Sequence, residues 1–167
     1  ARSRGVITLK LVLPEDTTEL AGVFAVRQQR SRRIRDALVD SGVALLNDRS
    51  LAQLKVPAIA AHAGCSVGSF YTRFADKSAF FHALQYAYVL AARAGIAQRT
   101  NQRALQRLSA ATVIERFVAL MVDLFGGQSR GVLRETLLRI AEPNNPWEPM
   151  REMGRHVRAE LHHALAE

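Results

Sequence analysis

Val56-Pro57-Ala58-Ile59-Ala60-Ala61-His62-Ala63-Gly64-Cys65-Ser66-Val67-Gly68-Ser69-Phe70-Tyr71-Thr72-Arg73-Phe74 is the stretch that decides the fold. It reads as two short helices broken at Gly64. Pro57 suits a first helical turn, where its missing N–H costs nothing. Ile59, Ala60 and Ala63 make a small apolar face that lets a second helix cross closely. Gly64 fits the left-handed position that ends a helix, and Ser66 is a good N-cap for the next one. Phe70 and Phe74 stand four apart and predict one inward side. Val67, Ser69, Thr72 and Arg73 leave the other side small or polar, with Tyr71 at its edge. Two short helices around a tight turn, the second with a flat exposed face, form a unit that enters a DNA major groove.

At these residues the chain resembles the TetR family of bacterial transcriptional regulators. The resemblance rests on Ile59-Ala60, Ala63-Gly64, Ser66, Gly68, Tyr71, Phe74 and Lys77, in the family's order and spacing. Leu38, Leu45 and Leu46 stand where the family's first helix is apolar, and the likeness spans roughly residues 30–85. It implies that Tyr71 and Lys77 grip phosphates while the small residues between them face base edges. A lysine at a helix start adds its charge to exposed N–H groups, and both favour a phosphate. Val67 and Thr72 suit a thymine methyl, Thr72 also a base edge, Arg73 a guanine or a phosphate, and Gly68 a close backbone approach. Ser66 and Ser69 complete the expected DNA face. Two positions depart from the family pattern. Lys55 replaces the usual threonine before the first of the two helices, so it can meet phosphate but cannot cap. Val67 replaces a basic or polar residue, so base preference does not carry over.

Arg27, Arg30, Arg32, Arg33 and Arg35 lead into the preceding helix, where Ile34, Leu38, Ser41 and Leu45 make one packing face. Beside a helix-turn-helix, Arg32 and Arg33 are candidates for flanking phosphates or the minor groove. The plain alternative is a solvated helix start. The net charge of +8 agrees with a polyanionic partner. Twelve basic and seven acidic residues lie in 1–77, eleven and eight in 78–167. The more basic half therefore holds the reading helix.

Residues 1–29 are read as an N-terminal extension, 30–76 as the DNA-binding domain and 77–167 as a helical regulatory domain. In the extension Ile7, Leu9, Leu11 and Leu13 alternate with Val6, Thr8, Lys10 and Val12, which predicts a strand ended by Pro14. A lone strand needs a partner, such as one from a second copy. Glu19 to Val26 reads as a helical turn or a linker. After the reading helix, Asp76 and Lys77 open a fourth helix carrying Phe80, Phe81, Leu84, Tyr88, Ala91 and Ala92 to about Gly95. Thr112 to Glu115 reads as a capping box, opening a helix that Gly126-Gly127 ends. Its inward side is Phe117, Leu120, Met121 and Leu124. Val132 to Ala141 is a short helix stopped by Pro143, and Asn145-Pro146 starts a final one through Met150, Met153, Val157, Leu161 and Leu165. The fold class is all-α: a three-helix DNA-binding domain joined to a helical ligand-binding and dimerisation domain.

One cysteine, Cys65, excludes a disulfide framework and suits a reducing compartment. Arg2 and Arg4 before an apolar stretch imitate a signal peptide, but Lys10 and Pro14-Glu15-Asp16 interrupt it. No apolar run approaches the ~20 residues a bilayer span requires. The expectation is a cytoplasmic protein that no membrane anchors. His62, His82, His156, His162 and His163 lack metal-ligand spacing, and no nucleophile accompanies a base–acid pair. No cofactor, metal or catalysis is expected. Tyr88, Phe117, Met121, Phe125, Leu137, Trp147 and Met150 suit an apolar pocket between helices, although such a stripe is more often plain core. The resemblance implies a repressor: a homodimer on double-stranded operator DNA, released by a small apolar or aromatic effector. Only about 90 residues follow the reading helix. The family's last two helices, which build its dimer interface, are not evident there. The alternative is a helical small-ligand sensor or carrier that has lost DNA binding.

Overall fold

The computed structural model describes residues 10–14, 17, 20–26, 28–99, 108–139, 151–152, 154–155, 157–159 and 162. Its helices are α1 (Gln29–Asp48), α2 (Val56–His62), α3 (Val67–Tyr71), α4 (Lys77–Arg99), α5 (Ala110–Gly126) and α6 (Arg130–Leu138). Residues 151–152, 154–155, 157–159 and 162 are also helical. The all-α expectation holds, and no helix among the described residues is long and apolar enough to cross a membrane.

Alpha-helices as short as α2 and α3 are marginal by themselves. Tertiary packing holds them. Ile59 and Ala60 of α2 and Phe70 of α3 are buried. Phe70, Phe74 and Phe80 form an aromatic triangle with ring centroids 5.0–5.4 Å apart. Burying each ring contributes about 2 kcal/mol. That triangle fastens the five-residue reading helix to the start of α4. At Gly64 the backbone takes φ +65°, the left-handed turn expected there. α4 begins with Asp76 accepting from the Ala79 N–H at 2.7 Å. It buries Phe80, Phe81, Leu84, Tyr88 and Ala92, with Ala91 half-buried, and runs past Gly95 to Arg99. Burial pushes the Tyr88 phenol up to about 12.

One core runs from Leu11 through Leu38, Phe70, Phe80 and Leu84 to Val132 and Leu133, without a break at residues 29/30 or 76/77. α5 meets it through Leu120, with Met121 half-buried beside it. A second cluster joins Val113 and Phe117, and Val157 packs against both.

Several expectations are corrected. Residues 10–14 form no strand pairing among the described residues, yet their alternation is real: Leu11 and Leu13 are buried, Lys10, Val12 and Pro14 exposed. Their partner is the chain's own core, because α1 offers an apolar surface and a buried arginine. Residues 20–26 are neither helix nor free linker. They turn at Gly22, and Val23 pairs with Phe74 in an antiparallel bridge. The cap of α5 is Ser109, which accepts from the Thr112 N–H at 3.3 Å. This serine precedes two alanines, good helix formers that join the first turn. α6 starts at Arg130, and Asn47 of α1 accepts from the Gly131 N–H at 3.0 Å. The expected start at Asn145-Pro146 lies outside the described residues. So do Trp147, Met150, Met153, Leu161 and Leu165.

Candidate nucleic-acid interface

The reading helix is built as its residues dictate. Ser66 accepts from the Ser69 N–H at 3.1 Å, satisfying one of the orphan donors of the first turn. The hydroxyls of Ser66 and Ser69 lie 3.0 Å apart. Lys55 starts α2 without a side-chain cap and is exposed. Along α3, Val67 is 39 % and Tyr71 50 % exposed, with the Tyr71 ring edge-on to buried Phe70 at 5.4 Å. Gly68 and Thr72 are exposed between them, and a Cβ at Gly68 would meet nothing closer than the Ser66 Oγ at 3.7 Å. Val67, Gly68, Tyr71 and Thr72 thus form one outward face.

Besides exposed Lys55, four more basic residues expected at the DNA turn out to differ in task. Arg33 is exposed on the first turns of α1, and Arg32 is half-buried. Arg73 is turned into the protein: its guanidinium donates to the Ser31 carbonyl and hydroxyl at 3.2 and 2.9 Å. It also donates to the Ser69 carbonyl at 2.6 Å and the Thr72 hydroxyl at 2.8 Å. Burial lowers its pKa, with Cys65 acting in the opposite direction. In place of the guanine or phosphate expected for Arg73, its guanidinium forms a brace between α3 and α1. The reason is that four of the five donors of the fork meet carbonyls and hydroxyls at the junction. Lys77 likewise points inward, donating to the Leu51 and Leu54 carbonyls at 2.8 and 3.1 Å. These carbonyls lie between α1 and α2 with no helical partner, and the ammonium satisfies them. In the unbound chain the ammonium is engaged in this cross-link.

Arg35 was expected in the basic lead-in but is buried. It donates to the Leu13 and Pro14 carbonyls at 2.8 and 3.1 Å. A helical period of 3.6 puts Arg35 beside Leu38 and Val39 on the inner side of α1, so its charge is unavailable to DNA. Arg30 and Arg33 remain as exposed basic residues at this end.

Far from α3, a second polar junction ties α6 to the DNA-reading unit. Asn47 donates to the Gln128 carbonyl at 2.7 Å. Arg134 donates to the Leu46 and Arg49 carbonyls, both at 2.8 Å, where a cation complements the end of α1. Buried Glu135 accepts from the Leu51 N–H at 2.9 Å and from Arg139 at 2.6 Å. Burial by itself pushes this carboxyl up. The Leu51 N–H and the charges of Arg139 and Arg134 outweigh that and hold it below the ordinary value. Leu51 is therefore a node: its N–H meets Glu135 and its carbonyl meets Lys77. Nothing in the sequence pattern flagged Glu135, since an i,i+4 Glu–Arg pair usually lies on a solvated face.

The residues expected to line a ligand pocket are spread apart. Tyr88 sits in the main core and Phe117 in the smaller cluster. Met121 lies against the main core, and Phe125 is exposed. Phe125 and Leu137, both expected at a pocket, do line one open groove of about 370 Å³, with Arg130, Leu133, Arg134 and Leu138.

Residues 38–84 match the family model described as bacterial regulatory proteins, tetR family. No curated protein matches the chain. The matched residues run from the middle of α1 to α4 and contain the whole outward face of α3. Over residues 38–84, then, this chain carries the helix-turn-helix DNA-binding domain of the TetR family and is a DNA-binding transcriptional regulator.

Proposed function

We propose that the protein is a sequence-specific repressor that binds an operator as a homodimer and is released by a small apolar or aromatic effector. The observation that carries sequence-specific binding is the exposed face of Val67, Gly68, Tyr71 and Thr72, offered on a helix braced at both ends. Two copies related by a two-fold axis would place these faces in successive major grooves of a near-palindromic site. Release requires an effector that binds one arrangement of the helices more tightly than another. The groove at Phe125, Leu133 and Leu137 offers an apolar surface, and Glu135 and Arg134 beside it reach the end of α1 and Leu51. A ligand that shifted α6 would therefore pull on the reading unit.

The test is selection of duplexes from a random-sequence library, followed by gel shift at two salt concentrations. A dyad-symmetric consensus and a log–log salt slope of about −0.9 per neutralised phosphate are expected. Tyr71→Ala should weaken all sequences alike, and Thr72→Ala should also relax the preference. Recovery of no consensus, with weak and salt-insensitive binding throughout, would favour a sensor or carrier instead.

A further inference from the structure

The exit of α3 receives contacts from residues that lie outside the matched family domain. Two backbone hydrogen bonds bracket the Val23–Phe74 bridge. The Phe24 N–H donates to the Arg73 carbonyl at 2.9 Å, and the Ala75 N–H donates to the Gly22 carbonyl at 2.8 Å. In such a narrow antiparallel pair the two opposed side chains share a face, and Val23 and Phe74 are both buried.

The segment that makes this pairing is itself anchored. Leu11 and Leu13 are in the core. Arg35 holds the Leu13 and Pro14 carbonyls, and the Thr17 hydroxyl donates to the Pro14 carbonyl. At Gly22 the backbone adopts φ +77°, and an added Cβ would stand 2.8 Å from the Ala79 Cβ. The chain passes over the first turn of α4 only because residue 22 is glycine. On its other side, α3 is tied to α1 by Arg73 and Ser31. The end of the reading helix is thus held between two elements, α1 and residues 22–24.

We propose that residues 20–26 form a positioning strap for the reading helix. The strap sets the angle at which Val67, Gly68, Tyr71 and Thr72 meet DNA, and it acts through its backbone hydrogen bonds and buried Val23 rather than through the exposed Phe24 side chain. A helix of five residues has too few internal hydrogen bonds to fix its own orientation. Its exit needs an external partner, and the strap supplies one to each side of Phe74. This inference rests on the DNA-reading role proposed above.

The test compares Phe24→Pro, which deletes the N–H given to Arg73, with Phe24→Ala, which keeps it. Both are made in the full chain and assayed on the duplex that the parent protein selects from a random library. Phe24→Ala should bind within about twofold of the parent. Phe24→Pro should bind at least tenfold more weakly, with a shallower salt slope, while helical circular dichroism is retained. Should Phe24→Pro lose its helical signal, Gly22→Ala replaces it and carries the same expectation. A separate arm needs no DNA: amide exchange of the parent should show Phe24 and Ala75 protected. Parent-like affinity of the proline variant, an equal loss in Phe24→Ala, or unprotected amides at Phe24 and Ala75 would each overturn the strap. If the parent selects no duplex but both amides are protected, the DNA-reading role fails while the pairing stands.

Discussion

At one end of the reading unit, residues 22–24 hold the exit of α3 with two backbone hydrogen bonds and a buried valine. At the other end, Asn47 of α1 bonds to the start of α6, Arg134 of α6 caps the end of α1, and buried Glu135, itself held by Arg139, holds the following turn. The two junctions fasten the same few helices by opposite means. Backbone pairing over apolar side chains carries no titrating group, so it keeps its strength across the pH range. A buried carboxylate depends on staying charged and partnered. The first junction is therefore a passive brace. The second depends on the protonation of Glu135, and through Leu51 it reaches Lys77.

The largest expected effect is at the α6 junction. A Cβ on Gly131 would lie 2.2 Å from the Leu46 carbonyl oxygen and 2.6 Å from the Asn47 nitrogen, both backbone atoms that cannot step aside. Gly131→Ala should cost about 3 kcal/mol in denaturant unfolding, since overpacking forces backbone to move. A cost below about 1 kcal/mol would mean that α6 does not approach α1 this closely.

Next comes the charge. With its folded pKa depressed, Glu135 contributes stability that is fully present above its unfolded pKa of about 4.3 and is lost as pH falls through the folded value. Glu135→Gln should lower stability by about 2 kcal/mol at neutral pH, in line with hydrogen bonds to a charged group. The difference from the parent should shrink on acidification below about pH 4. Unfolding curves measured from pH 3 to 7 would show this convergence, and parallel curves would remove Glu135 from the junction.

Smallest is Ser66→Ala, which touches neither junction. Loss of the cap on α3 should cost about 1 kcal/mol. DNA affinity should fall only modestly, because the brace at Arg73 and the strap still hold the helix exit. An affinity loss as large as that expected of Phe24→Pro would mean that the start of α3, not its exit, governs its pose.

Much of this was legible in the order of residues. Gly64 turns left-handed, Ser66 caps, and Phe70 and Phe74 go inward, because each depends on local geometry that a few neighbours specify. The alternation at Leu11 and Leu13 was legible as a pattern, but not its partner, which lies more than twenty residues away on α1. Arg35, Arg73 and Lys77 were the least legible. A cation near a DNA-reading helix fits phosphate and carbonyl equally well by charge and reach, and its type does not say which it will meet.

By itself, then, the sequence determined the helical class, the turn between α2 and α3, the cap and the small outward face of the reading helix. Helical periodicity, glycine's access to positive φ and the capping geometry of serine act over three or four residues, within reach of the chain's own order. Only the tertiary structure decided which basic residues are spent inside, that residues 20–26 strap the exit of α3, and that Glu135 is buried against Leu51. Those outcomes depend on which carbonyls and N–H groups from distant segments arrive at one place without partners of their own. Burial then obliges whatever donor or carboxylate stands nearest to satisfy them.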